Sequence, residues 1–141
     1  MAGLLSARAG EDVVSAELRR WAAEPFDPVQ DNCGLSIIAY VERAVERELR
    51  PSPRNLRPLA MALLAQCPRE FIGYAQWALK RLGCRVTKAP TRGDVGLVRL
   101  TNGLTACLCV GNAWAARMER GLVIEPAVSI PIAWRLPCPT R

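Results

Sequence analysis

From Glu11 to about Glu24 the chain sets Val13, Val14, Leu18, Trp21 and Ala22 at helical spacing, with Glu17, Arg19 and Arg20 between them. That pattern predicts a short amphipathic helix. Pro25 and Pro28 end it and bias 25–30 toward an extended arm, because each proline pushes its predecessor out of the helical region. After Cys33 the three- and four-residue spacing returns more strongly: Leu35, Ile38, Val41, Ala44, Val45 and Leu49 form one stripe, and Glu42, Arg43, Glu46 and Arg47 form the opposite face. Pro51, Pro53 and Pro58 break the chain into a loop, Leu59 to about Gln66 is apolar enough for a short buried helix, and Pro68 opens another. That helix carries Phe71, Tyr74, Ala75, Ala78, Leu79 and Leu82 to a stop at Gly83, with proline at the start and glycine at the end where each is best tolerated.

Beyond Gly83 the pattern changes to that of strands. Gly93-Asp94 introduces Val95, Leu97, Val98 and Leu100; Thr101-Asn102-Gly103 is a hairpin signal; Leu104 to Val110 is a continuous apolar run. Ala113 to Met118, Leu122 to Glu125 and Ile130 to Leu136 follow, the last interrupted near its start by Pro131. Helices first and then a meander of four or five antiparallel strands is an α+β plan. Within the apolar run, Thr105, Cys107 and Cys109 share one face and Leu104, Ala106, Leu108 and Val110 the other, so the strand must be covered on both sides. The expectation is that the Cys33 helix packs on the Thr105 face.

Composition narrows the function. A chain of 141 residues, half of them hydrophobic, supports one core, divided as an N-terminal arm and helix over 1–24 and a single domain over 25–141, with helices about 33–83 and sheet about 93–136. The +6 formal charge comes from 17 arginines with only Lys80 and Lys88, scattered instead of clustered, so a nucleic-acid function draws little support. Six cysteines show no Cys-x-x-Cys spacing and there is no histidine, which argues against a metal site; no cofactor is indicated either. No stretch has the length and hydropathy of a signal peptide or a membrane span, and reduced thiols made inside a cell are the simplest expectation.

Chemistry concentrates at Cys33. Asp31-Asn32 can cap its helix, and the free N–H groups and dipole at that end favour a thiolate. The alternative is a small buried hydrophobe in a capped helix.

Three short segments in order carry a resemblance: Asn32-Cys33-Gly34 opening a helix, Arg92-Gly93-Asp94-Val95 starting a sheet, and Thr105-Ala106-Cys107-Leu108-Cys109-Val110-Gly111 after a hairpin. From about Pro25 onward the chain resembles the NlpC-like branch of papain-like cysteine peptidases, cell-wall hydrolases of peptidoglycan stem peptides. It is most similar to a group encoded beside distal-tail genes of tailed phages and gene transfer agents, in which a final Ala-Trp-Arg strand recurs, here Ala133-Trp134-Arg135. The resemblance implies a Cys33 helix packed on a strongly curved antiparallel sheet, with Cys33 as the vestigial nucleophile, Thr105 at the family histidine position and Arg117 at the third polar position. A cysteine peptidase needs an imidazole to take the thiol proton and a group to orient it, and neither Thr105 nor Arg117 can serve. The resemblance therefore implies a catalytically degenerate structural part of a virion tail tip, with hub and distal-tail proteins as partners. The alternative is a hydrolase acting on peptidoglycan through Cys33 with Asp31 or Glu125 as base. The loop from Arg50 to Pro58 and the tail Pro137-Cys138-Pro139-Thr140-Arg141 are expected to be ordered against another protein.

Overall fold

The computed structural model describes residues 12–24, 33–53, 68–118 and 121–137, apart from the side chains of 33 and 68–70. The expected helix over Leu59 to Gln66, the arm, Asp31, Asn32, the end of the proline loop and Cys138 to Arg141 lie outside the described residues.

Among the described residues three helices precede the sheet: α1 (Val13–Ala23), α2 (Cys33–Val45) and α3 (Pro68–Arg81). Asp12 caps α1, its carboxylate accepting the Ser15 N–H at 2.8 Å, which satisfies one orphan donor of the first turn. At the end of α2, Glu46 takes φ 58 and Arg47 donates its N–H to the Glu42 carbonyl. The Glu42 carboxylate then accepts the Leu49 N–H at 2.8 Å, which keeps Leu49 buried although it stands outside the helix. The apolar stripe thus outruns the element by one turn. Past α3, Gly83 takes φ +88 while Cys84 bonds back to Leu79 and Gly83 to Lys80, a paired C-terminal cap that only glycine enters without strain.

Among the described residues the sheet holds six strands: β1 (Arg85–Thr87), β2 (Val95–Leu100), β3 (Gly103–Cys109), β4 (Trp114–Met118), β5 (Gly121–Glu125) and β6 (Ser129–Arg135). Their order is β1-β6-β2-β3-β4-β5, antiparallel throughout. Two expectations need correction: the strands number six instead of four or five, and the last does not extend a meander but returns to lie between β1 and β2. The reason is burial of β2, where Val95, Leu97, Val98 and Leu100 are all buried, so both faces and both edges need cover. β1 escapes sequence analysis because its three residues carry no alternation of burial. Pro131 is accommodated by a bulge: β2 pairs Leu97 with Ile132 but Arg99 with Ser129, so the ladder skips the residue that has no N–H to offer.

Two apolar clusters result. The first joins the helices (Val14, Trp21, Ile37, Ile38, Val41, Leu79) to Val95, Leu97, Ala106, Leu108, Ala115 and Trp134 on the front of the sheet. The second, on the back, is made of strand residues: Val98, Leu100, Cys107, Cys109, Trp114, Ala116 and Ala133. No described helix is long and apolar enough to cross a membrane.

Candidate functional site

α2 lies across β3 and β4, so its N-terminal turn faces the middle of the sheet. Cys33 is its first residue, and Ser36, one turn later, is buried. Opposite is Arg117 on β4, only 3% exposed. Its Nη1 donates to the Ser36 hydroxyl oxygen at 3.3 Å and its Nη2 to the Glu24 carbonyl at 3.0 Å, which ties the end of α1, the start of α2 and the sheet together. A guanidinium stays protonated at every accessible pH and offers donors only, so it can hold an anion or a carbonyl but cannot accept a proton.

Thr105 goes elsewhere. It pairs with Val98 in the β2–β3 ladder and shares the parity of Cys107, so its side chain belongs to the back face, whereas α2 packs on the Ala106 and Leu108 face. The expectation that the Cys33 helix packs on the Thr105 side is therefore wrong. Both faces of β3 are apolar, so alternation groups the residues correctly without saying which group meets the helix. The Thr105 hydroxyl donates to the Gly103 carbonyl at 3.1 Å, two residues back. Of the expected site residues, Arg117 meets α2 beside the turn that Cys33 opens, and Thr105 does not.

The two bases named as alternatives fare differently. Asp31 lies outside the described residues. Glu125 pairs with Trp114 of the back cluster, and its carboxylate accepts the Thr101 N–H at 2.6 Å, an interaction that lowers its pKa. Held at the β2–β3 hairpin, it faces away from α2.

The Arg92-Gly93-Asp94-Val95 segment turns out to be a clamp. Arg92 binds the Asp12 cap (2.9 and 3.2 Å) and the Val110 carbonyl (3.1 Å), while Gly93, at φ +99, presents its carbonyl to the buried Tyr40 hydroxyl at 2.8 Å. Asp94 is buried and accepts from Thr91 N–H at 2.9 Å and from Arg135 at 3.3 and 3.4 Å. One tetrapeptide thereby joins α1, α2, β3 and β6. Burial raises the Tyr40 pKa, helped by the nearby carboxylates of Glu17, Asp94 and Asp12, which keeps the hydroxyl a donor.

Sequence analysis also missed Glu17, read as an outward residue of α1. It is buried; Oε2 accepts the Trp21 indole N–H at 2.8 Å, and Arg43 of α2 grips both carboxylate oxygens, with Nε at 3.1 Å from Oε1. The Glu17–Trp21 spacing of four was the available signal. Of the tryptophans, Trp21, Trp114 and Trp134 are core, and Trp77 is exposed at 40% between Tyr74 and Arg81. The described cysteines Cys84, Cys107 and Cys109 are buried thiols that form no disulfide with one another, with Cys84 pushed up to about 12 by desolvation.

A family model described as a domain of unknown function, DUF6950, matches residues 8–136 of the chain. No curated protein and no solved structure matches it.

Proposed function

The chain belongs to DUF6950, a family of unknown function, and we propose that it is a non-catalytic structural protein of a phage-type tail tip, built on an NlpC-like skeleton without proton-transfer machinery. The observation that carries this reading is Arg117. At the point where a thiol-bearing helix meets the sheet, an acyl-transfer site requires a group that titrates near neutral pH. Here that point holds a buried, permanently charged guanidinium that hydrogen-bonds Ser36 and the Glu24 carbonyl, a structural tie with no acid–base capacity.

The resemblance to the NlpC-like branch rests on the order of its three segments; Arg117 is a departure from the family pattern, and Thr105, on the back of the sheet, counts against the assignment. A strongly curved sheet, which that fold implies, accounts for a second cluster that is buried although no described helix contributes to it. In the virion tail the partners would be hub and distal-tail proteins. Peptidoglycan contact belongs to the alternative reading of a working hydrolase.

The test has two arms. Alkylation of Cys33, followed by peptide mass spectrometry against pH, is expected to be slow with no acceleration near neutrality, and purified protein is expected to leave peptidoglycan stem peptides intact. Thr105→His is expected to change neither result, since that side chain projects from the back of the sheet. Hydrolysis that disappears in Cys33→Ala would overturn the non-catalytic reading. In the second arm, co-expression with the hub and distal-tail proteins of its own gene cluster is expected to recover a complex, and recovery of free protein alone would overturn the tail-tip assignment.

A further inference from the structure

The sheet ends differently on its two sides. β1 spans only Arg85–Thr87, carries an arginine and is followed at once by Lys88 and Pro90, the short, charged ending that keeps an edge from pairing. β5 (Gly121–Glu125) is longer and has neither proline nor a basic residue within the strand, with Arg120 before it and Pro126 after it in sequence; among the described residues it pairs only with β4 and is touched by α1. Its Leu122, Val123 and Ile124 are consecutive apolar residues, none of them fully buried, and Ile124 is 50% exposed. Val128 (75%) and Ile130 (42%) are exposed as well, but Val128 bonds to Arg99 of β2 and Ile130 belongs to β6, between β1 and β2.

From this edge we infer that β5 pairs with β5 of a second copy, antiparallel and about a two-fold axis at Val123, to give one continuous sheet across a homodimer. The strand is self-complementary in that register. Leu122 falls opposite the partner's Ile124 on one face, Val123 opposite itself on the other, and Gly121 opposite the partner's Glu125. Glu125 is the only charge in the strand, so its neighbour across the axis has no side chain to repel it. Its carboxylate also accepts the Thr101 N–H at 2.6 Å. A register shifted by one residue would set Glu125 against the partner's Leu122 and turn the apolar sets to opposite faces, which favours the Val123-centred pairing. Pairing would satisfy the outward N–H and C=O groups of β5 and set the partner's Leu122 beside the half-exposed Ile124. The inference does not depend on the tail-tip reading.

The experiment uses the full chain. Size-exclusion chromatography with light scattering, from low to high micromolar concentration, is expected to show a reversible dimer. Ile124→Lys sets a charge beside the partner's Leu122 and is expected to weaken dimerisation by at least about tenfold while the circular dichroism spectrum stays unchanged. Val123→Cys is expected to form an intermolecular disulfide under mild oxidation, because a residue on the axis lies directly opposite its own copy; wild type and Ile130→Cys serve as controls. If Ile124→Lys fails to fold, the Val123→Cys crosslink decides. A monomer at every concentration overturns the inference, and so does a dimer that shows no crosslink at position 123 above the controls.

Discussion

The two faces of the sheet bury polar groups in opposite ways. On the front, the buried Glu17 and Arg117 bond across the fold: Glu17 to the exposed Arg43 over 26 residues, Arg117 to Ser36 over 81, and Arg117 to the Glu24 carbonyl over 93. On the back, the Thr105 hydroxyl and the Cys107 and Cys109 thiols each donate to a carbonyl only two residues away. The front contacts exist only when helices and sheet are docked in one arrangement, so they specify that arrangement. The back contacts form within a single strand or its end and leave shape alone to define the packing. A face organised by long-range charges can evolve into a site, whereas the back face is apolar filling.

Three stability measurements and a pH titration test this contrast. Trp114→Ala empties the largest side chain of the back cluster, whose ring carbons lie 3.2 Å from where a Cβ on Gly96 would sit. It is expected to cost about 3–5 kcal/mol in denaturant unfolding. A loss below about 1 kcal/mol would show that shape does not define that face. On the front, Glu17→Ala leaves the Trp21 N–H and Arg43 without their acceptor and is expected to cost about 1–3 kcal/mol. A double-mutant cycle with Arg43→Ala is expected to reveal coupling between the two; strict additivity would mean the ion pair does not help to dock α1 on α2.

A purely local change should behave differently from both. Gly73 lies on the exposed side of α3, and a Cβ there would meet nothing within 4 Å. Gly73→Ala is expected to stabilise the fold by about 1 kcal/mol, read as a rise in Tm of about 3–5 °C. The smallest effect belongs to the solvent-exposed Asp12–Arg92 link. Arg92, and then the Ser15 N–H, hold the Asp12 carboxyl well below the usual carboxylate range. A depressed native pKa stabilises the fold above the unfolded value of about 3.8 and is lost as pH falls below it. Because the pair is exposed and screened, the loss is expected to be under about 1 kcal/mol and to shrink in high salt. Stability of Asp12→Asn with the same acid slope as wild type would remove Asp12 from the account.

Periodicity and punctuation were enough to determine the three described helices, both ends of α3 and most of the strands, since spacing, Pro68, Gly83 and Thr101-Asn102-Gly103 act through the local backbone; the end of α2 was not among them. The α+β plan, the need to cover both faces of β3 and the absence of any imidazole were likewise present in the residues alone. What only the tertiary structure decided is which surface meets which. An alternating strand groups Thr105 with Cys107 and Cys109 whatever covers them, so a chain apolar on both faces cannot announce that α2 takes the Ala106 and Leu108 side. The return of β6 between β1 and β2 was equally hidden, because strand order is set by long-range burial of β2 and not by its neighbours in sequence. Glu17 read as an outward residue for the same reason. A charge becomes tolerable inside a protein only when distant partners arrive to neutralise and hydrogen-bond it, and those partners stand in other elements of the chain.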